Sequence, residues 1–346
     1  MIQQSTPYEN VLERELSLPA EKGGPVVLDL FAGCGGLALG FEAAGFLTVG
    51  FEMDEDCCAT YRRNLRAPCH AMTLRPGLEL TDGAEVIIGG PPCQPFSVNG
   101  HQNGGRDGRD GFPAYLWAVE RYRPRMAVFE NVRGMLYQNK VYFDAIVEKL
   151  EALGYRVAWK LLNAVEFGVP QNRERLFVVA HQGTFDFPEP THADRPVTAG
   201  EALGEMAYSI PEGAKFLTPS MDVYVAKYEK ASKCIRPRDL HLDQPSRTVT
   251  CRNLNGATGD MLRIRLADGR RRRLTVREGA RLQSFPDWFT FCGSEGSQFD
   301  QIGNAVPPLL AKALALAVRA SLDGRAGGAR PGRSREKTLF GSALLC

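Results

Sequence analysis

Residues 26–36 read Val-Val-Leu-Asp-Leu-Phe-Ala-Gly-Cys-Gly-Gly, and this stretch decides the fold. An apolar run bounded by Pro25 and Gly33 is too short for a typical helix and indicates a buried strand. The glycines that follow allow a tight turn into a helix. Alternating strands and helices predict an α/β domain with a mostly parallel sheet. Further strands are predicted at residues 47–52, 85–89, 125–130, 155–162 and 175–181, and helices at 54–66, 112–123, 141–153 and 306–322.

Changes in composition divide the chain. The α/β pattern covers residues 25–185 and returns at 301–322, whereas residues 186–300 predict a smaller, irregular or β-rich domain. Within that domain, a hairpin is predicted to turn at Asp268-Gly269. Residues 1–24 show no clear period and are interpreted as a leader, and residues 323–346 as a flexible basic tail.

The overall composition excludes several classes of protein. The 346 residues are 44% hydrophobic and 24% charged, which argues against a disordered, collagen-like or coiled-coil chain. No apolar run approaches the length of a membrane span, and the polar N-terminus is not a signal peptide, so a cytoplasmic protein is expected. Nine cysteines without a C-x-x-C pair argue against a disulfide framework and against a metal site.

Charge is nearly balanced overall but is unevenly distributed. The chain has 42 basic and 40 acidic residues, which does not by itself indicate a nucleic-acid-binding protein. Residues 261–281 nevertheless hold eight arginines against two acidic residues. This stretch is either a solvated surface or a patch that contacts phosphates.

The turn after the first strand suggests a cofactor site. Gly33, Gly35 and Ala38 loosely match a dinucleotide-binding turn, and Glu52 ends the second strand 19 residues after Gly33. A carboxylate at that place can accept both hydroxyls of a ribose. Two ligands fit: a nicotinamide dinucleotide, or a nucleoside such as S-adenosylmethionine.

Reactive side chains follow the next strands. Cys93 comes directly after a buried strand within Gly-Gly-Pro-Pro-Cys-Gln-Pro, and Glu130 ends the following strand. The carboxyl ends of parallel strands share one edge of a sheet, so a nucleophilic thiol and a carboxyl are predicted beside one pocket. An inert, packed cysteine is the alternative. Arg173 and Arg175 alternate, so they are predicted to point the same way and to bring positive charge to the pocket, unless they are ordinary surface charges.

The loop after Cys93 has an unusual composition. Residues 97–111 contain five glycines and one hydrophobic residue, which indicates either a mobile lid or a passive linker. Arg106 and Arg109 in this loop could meet phosphates.

Taken together, these residues resemble the DNA (cytosine-5) methyltransferase family, in its prokaryotic restriction-modification form. The resemblance runs from about residue 26 to 318. The matching blocks, in order, are DLFAGCGG, FEMD, GGPPCQPFS, ENV, QNRER, PSRTVT, RLQSFPDWF and QIGNAVPP.

The resemblance implies both a reaction and an architecture. The family transfers a methyl group from S-adenosylmethionine to C5 of a cytosine that is flipped out of duplex DNA. It implies a Rossmann-like mixed sheet, with residues 186–300 as the target-recognition domain and DNA in the cleft between the domains. It also implies Cys93 as nucleophile, Glu130 as the group that binds N3 of the base, and Arg175, with Arg173, as catalytic arginines.

Two further sets of residues follow from the matching blocks and the basic segments. Cofactor contacts are expected at Phe31, Gly33, Cys34, Gly36, Glu52, Met53, Pro92 and Asn304. DNA contacts are expected at Asn99, Arg106, Arg109, Arg271 and Arg272.

The chain departs from the family pattern in two places. Residues 70–74 carry no acidic residue where the family has one that touches the adenine, and residues 106–120 match loosely. The segment between the QNRER strand and PSRTVT is compact, which favours a short target sequence.

Three other functions are consistent with parts of the sequence. They are methylation of cytosine in a structured RNA, a non-catalytic DNA-binding protein on the same fold, and a nicotinamide oxidoreductase. The leading interpretation expects double-stranded DNA as substrate, with a cognate restriction endonuclease as a possible partner and a position at the nucleoid.

Overall fold

The computed structural model describes residues 7–20, 23–80, 83–92, 110–231, 233, 238–256 and 259–325. Within these residues one large sheet has seven strands in the order β3-β2-β1-β4-β5-β7-β6. The predicted strands are confirmed to within two residues at each end, and β3 is additional to them. The strands are β1 Val26–Leu30, β2 Leu47–Glu52, β3 Cys69–Ala71, β4 Val86–Gly89, β5 Met126–Val132, β6 Arg156–Asn163 and β7 Glu174–His181.

The sheet is mixed, and its register gathers the site residues at one edge. Strands β1 to β5 pair in parallel, and Leu30 of β1 lies opposite both Phe51 and Gly89. Strand β7 runs antiparallel between β5 and β6, with Arg175 opposite Val132. The beginning of β7 therefore lies beside the carboxyl end of β5, so the antiparallel strand brings Arg175 to the same edge as Glu130.

Helices cover both faces of the sheet. The aspartate before α3, Asp54, accepts a hydrogen bond from the backbone N–H of Cys57 at 2.8 Å, which confirms it as the N-cap. Helix α11 packs so closely on α2 that a Cβ on Gly40 would lie 2.4 Å from the backbone nitrogen of Lys312. The helices are α2 Gly36–Ala43, α3 Glu55–Asn64, α4 Phe112–Tyr122, α5 Lys140–Ala152 and α11 Pro308–Leu322.

The predicted leader is wrong for residues 7–16, which form helix α1 (Pro7–Leu16). Tyr8, Leu12 and Leu16 are four residues apart and all buried, so they form one apolar stripe on the helix. Glu9 pairs with Arg281, which fastens α1 to the rest of the protein.

Residues between β7 and α11 build the smaller unit; most of its described residues lie outside helices and strands, so it is irregular, one of the two predicted alternatives, and not β-rich. Its hairpin is confirmed: β8 and β9 pair antiparallel, and Gly269 takes the turn with φ +85°. Its elements are α6 Ala199–Leu203, α7 Pro219–Ala231, α8 Cys251–Leu254, β8 Arg263–Arg265, β9 Arg271–Arg273, α9 Val276–Leu282 and α10 Glu295–Asn304.

Across the described ranges, no single helix has both the length and the apolar content to cross a membrane; the bent pair α10 and α11 meets these two criteria only jointly.

Candidate active site

A carboxylate and a guanidinium group form the centre of the site. Arg175 Nε lies 2.9 Å from Glu130 Oε1, and about 15% of each side chain is exposed (16% and 14%). Burial raises the pKa of the Glu130 carboxyl, and the positive charges of Arg175 and Arg173 oppose that rise. Glu130 therefore keeps a proton more readily than an ordinary glutamate and can donate a hydrogen bond to a substrate atom.

The predicted nucleophile, Cys93, lies outside the described residues, as do Asn99, Arg106 and Arg109. The chain that leads to Cys93 is fixed. Asn131 Nδ2 donates to the carbonyl of Pro91 at 3.1 Å, and an ideal Cβ on Gly90 would lie 3.7 Å from Glu130 Oε2. Residue 93 is three residues beyond Gly90, so the Cα atoms of the two are at most about 11 Å apart. The proximity of the Cys93 thiol to Glu130 stays a prediction that this geometry permits.

Arg173 is buried at the junction between three segments of chain. Its guanidinium donates to the carbonyls of Val249 at 2.7 Å, Gly303 at 3.1 Å and Ala305 at 2.9 Å. Burial, with a smaller effect of the neighbouring Arg175, lowers the pKa of Arg173 to about 9. With 1% of its surface exposed, Arg173 cannot touch a substrate. Its assignment as a catalytic residue is therefore corrected: it supplies positive charge near Glu130 and positions the segments around it.

A cavity of about 480 Å³ opens beside Arg175. The two units of the protein both contribute to it. Its lining residues are Val132, Arg133, Gly134, Asn163, Asn172, Glu174, Arg175 and Thr248. Asn172 belongs to the QNRER block and Thr248 to the PSRTVT block. Neither residue was predicted as a site residue, because no local pattern distinguishes it. Their hydrogen bond, from Thr248 Oγ1 to the carbonyl of Asn172 at 2.6 Å, joins the two units at the cavity wall.

Glu52, the last residue of β2, holds the turn that follows β1 at the same edge of the sheet. Its Oε1 accepts the N–H groups of Met53 at 2.8 Å and Asp54 at 2.9 Å, and its Oε2 accepts that of Gly33 at 2.9 Å. A carboxylate has about four acceptor positions, so one remains, at Oε2. Gly33 has φ +54°, and a Cβ there would meet nothing within 4 Å. The turn therefore presents a fixed acceptor beside open space.

The other predicted cofactor residues fall into three pairs. Phe31 and Pro92 converge, because a Cβ on Gly111 would lie 2.9 Å from the Phe31 ring and 2.5 Å from Pro92. Gly111, which the sequence did not single out, thus lets these two side chains meet. Cys34 and Gly36 differ from the prediction in that they serve packing.

The packing role of Cys34 and Gly36 follows from their contacts. The Cys34 thiol is buried and donates to the carbonyl of Gln301 at 3.6 Å, and burial raises its pKa to about 12. A Cβ on Gly36 would lie 2.5 Å from the carbonyl oxygen of Val306. Met53 is largely exposed, and the exposed Asn304 accepts a hydrogen bond from the Cys251 thiol at 3.0 Å.

The predicted DNA contacts on the hairpin are wrong. Arg272 is fully buried and pairs through two nitrogens with both oxygens of Glu278, at 2.7 and 3.0 Å. Arg271 is largely buried between Asp222, at 2.7 Å, and Asp239, at 3.6 Å. These acidic partners neutralise the two arginines, so their guanidinium groups are not available to phosphates.

Comparison with known proteins agrees with the geometry. A family profile described as C-5 cytosine-specific DNA methylase matches residues 26–320. The chain is 61% identical over 319 residues to the Type II methyltransferase M.AplI of Arthrospira platensis, with 92% of each chain covered. It is 36% identical over 332 residues to the Type II methyltransferase M1.HphI of Haemophilus parahaemolyticus, covering 84% of this chain and 86% of that one. The solved structure of the Entamoeba histolytica methyltransferase EhMeth has the same fold, with a TM-score of 0.65 at 17% identity, covering 87% of this chain and 99% of that one.

Proposed function

Because the chain belongs to the family of C-5 cytosine-specific DNA methylases, we propose that the Glu130–Arg175 pair binds a cytosine flipped out of duplex DNA, for attack by Cys93. The chain is a DNA cytosine-5 methyltransferase on a Rossmann-like mixed sheet. The observation that carries the residue assignment is the largely buried carboxyl of Glu130: Arg175 holds it beside a cavity, and its Oε2 lies 3.7 Å from the Cβ position of Gly90, three residues before Cys93.

The proposed chemistry assigns a role to each of these three side chains. C5 of cytosine is a poor nucleophile, and addition of the Cys93 thiolate to C6 moves electron density toward C5 and N3. Glu130 donates its proton in a hydrogen bond to N3 and stabilises the charge that develops there. Loss of the C5 proton and departure of the Cys93 thiolate then restore the aromatic ring.

Arg175 affects both Cys93 and Glu130. Its positive charge favours the thiolate form of a nearby cysteine. Its contact with Glu130 Oε1 leaves Oε2 as the oxygen nearer to Gly90, and therefore nearer to the segment that leads to Cys93. Arg175 thus fixes which carboxyl oxygen faces the base.

S-adenosylmethionine, when bound, supplies the electrophilic methyl group that C5 accepts. The turn at Gly33 fits this cofactor, because the free acceptor position of Glu52 can take a ribose hydroxyl and the space beside Gly33 is open. Phe31 and Pro92 offer an apolar wall next to it. The cofactor site would then lie beside the base site on one sheet edge, as methyl transfer between them requires.

The decisive experiment traps the covalent intermediate. Fluorine at C5 cannot leave as a cation, so a duplex with 5-fluorocytosine at the target should form a denaturant-stable complex with the wild-type protein and S-adenosylmethionine. Cys93→Ser should form none, because a hydroxyl is a far weaker nucleophile near neutral pH. Glu130→Gln should react slowly, because an amide N–H is a far weaker acid than a carboxyl group and stabilises the charge on N3 less.

The outcomes separate the remaining alternatives. A complex formed by Cys93→Ser would mean that another residue is the nucleophile. No complex with the wild type, on a duplex that it methylates, would contradict the covalent mechanism. The matching RNA, tested in parallel, should give no complex.

A further proposal concerns the biological setting. The relatives at 61% and 36% identity are named Type II methyltransferases, which favours a role in protecting DNA from a cognate endonuclease at the nucleoid. DNA from cells that express the chain should then resist cleavage by an endonuclease of the same target sequence. Cleavage equal to that of unmodified DNA would contradict this role.

A further inference from the structure

A second cavity, of about 440 Å³, lies on the smaller unit close to the base site. Arg252 lines this cavity, and Thr248, four residues earlier, lines the cavity beside Arg175. Four residues span at most about 14 Å. One short segment, residues 248–252, therefore contributes to the lining of both cavities.

One wall of this cavity is an aromatic face of helix α7. Ser220, Tyr224 and Tyr228 are spaced four residues apart, so they share one side of the helix. An adjacent side of the helix packs in a small apolar cluster that includes Val225 and Met261. The outer face of α7 is therefore held rigidly toward the cavity.

The two tyrosines form a flat surface. Their rings stack with centroids 6.4 Å apart and planes inclined by 19°. A Cβ on Gly259 would lie 2.9 Å from the Tyr228 ring, so the glycine allows the backbone to press against that ring and hold it. Tyr224 is 53% exposed, which leaves its hydroxyl and ring edge open to a ligand.

Two charged side chains, Arg252 and Asp260, line the cavity. Asp260 accepts hydrogen bonds from both Arg238 and Arg247. The third arginine, Arg252, has its Nε 4.0 Å from Asp260 Oδ2, beyond hydrogen-bonding distance. Its side chain is 68% exposed, in contrast to the buried Arg263 and Arg272 of the hairpin. Arg252 therefore presents its donor fork to the cavity.

We infer that Arg252 reads the edge of a guanine in the recognition sequence, with Tyr224 beside it, and this inference rests on the proposed function. Arg252 is exposed and lies four residues from Thr248, which lines the base site, and this favours a segment of the substrate duplex as the occupant. An arginine fork matches the two acceptors, O6 and N7, that guanine shows in the major groove, and this pairing is the commonest specific contact between proteins and DNA. Arg252 is then a determinant of target specificity and takes no part in methyl transfer.

The test measures methylation of a randomised duplex library by bisulfite sequencing. The wild type should require guanine at one position of its target. Arg252→Ala should accept all four bases at that position, with its rate on the wild-type target lowered about 5- to 150-fold and the other positions unchanged. Arg252→Lys should be relaxed in the same way, because an ammonium group keeps the charge but loses the planar fork.

The matched control is Arg14→Ala, which removes an arginine of similar exposure (71%) on α1 and should leave every base preference unchanged. An equal loss of rate on all sequences, largely recovered in Arg252→Lys, would show a phosphate contact and overturn the inference. Unchanged preferences in Arg252→Ala, or relaxation at a base other than guanine, would also overturn it, and neither result touches the proposed function. A wild type that methylates no duplex would overturn both.

Discussion

Replacing Arg272 with alanine is expected to destabilise the smaller unit without removing a DNA contact. The side chain is fully buried, pairs with Glu278, and also donates to the carbonyls of Met206 at 2.7 Å and Ser209 at 3.1 Å. Removing one partner of a buried ion pair costs about 3–5 kcal/mol, because the other charge stays buried and unpaired. The two carbonyls also lose their donor, so we expect a loss at the upper end, about 5 kcal/mol. That is a large share of the stability of an ordinary protein, about 5–15 kcal/mol.

Urea unfolding, followed by tryptophan fluorescence, measures this loss directly. Arg270→Ala is the matched control on the same hairpin, because that side chain is exposed, pairs with the exposed Asp268 and lies over the Phe216 ring; its unfolding midpoint should fall far less than that of Arg272→Ala. The double variant Arg272→Met with Glu278→Leu should recover part of the stability, because no unpaired carboxylate remains.

DNA binding by the double variant supplies the refuting result. A lost phosphate contact would reduce the slope of log affinity against log salt by about 0.9. We expect the slope of the folded double variant to equal that of the wild type. An Arg272→Ala protein with the wild-type unfolding midpoint and a flatter salt slope would refute the reasoning from burial.

Three further predictions concern the sheet edge. Glu52→Ala should weaken binding of S-adenosylhomocysteine at least about tenfold in calorimetry, through loss of a charge-assisted hydrogen bond and of the ordered turn; unchanged affinity in a folded variant would contradict the cofactor assignment. In Arg175→Ala the pKa of Glu130 should rise further above its usual range, because an opposing positive charge is gone. The protonated form then persists to higher pH, so the alkaline limb of single-turnover methylation should shift upward while the rate falls; an upward shift of the acid limb instead would mean that Glu130 acts as a base. Gly36→Ala should lower the thermal midpoint, because its methyl group would meet the Val306 carbonyl at 2.5 Å, and an unchanged midpoint would show that α2 can move aside.

Elements whose signals are local could be predicted from the sequence. Strand β2 was predicted at its observed bounds, Leu47–Glu52, and Asp54 as the N-cap of α3, because a buried apolar run and a capping side chain act within a few residues. Helix α1 was missed although Tyr8, Leu12 and Leu16 stand at helical spacing. These three apolar residues are scattered in a polar segment, and only their contacts with the distant α11 and α6 make the helix stable.

Two buried arginines show which features cannot be predicted from the sequence. Arg173 and Arg272 look like surface charges in the chain, but the first is bonded to carbonyls at residues 249, 303 and 305, and the second to Glu278. Burial of a charge depends on partners that tertiary structure supplies, and no local pattern shows them. The carboxyl of Glu130, in contrast, could be placed from the end of its strand alone.

The close contact between α2 and α11 also has a consequence for how the protein is made. Gly36 and Gly40 give α2 a flat face that Phe285 and residues 305–312 cover. During synthesis that face, which adjoins the turn at Gly33, stays open to water until the whole of the smaller unit has left the ribosome. The part of the protein around the cofactor turn begins with β1, the first strand to be translated. It is complete only when α11, near the end of the chain, has been added. A chain interrupted before α11 would therefore carry every residue proposed here for the chemistry and still lack the surface against which the cofactor turn is built.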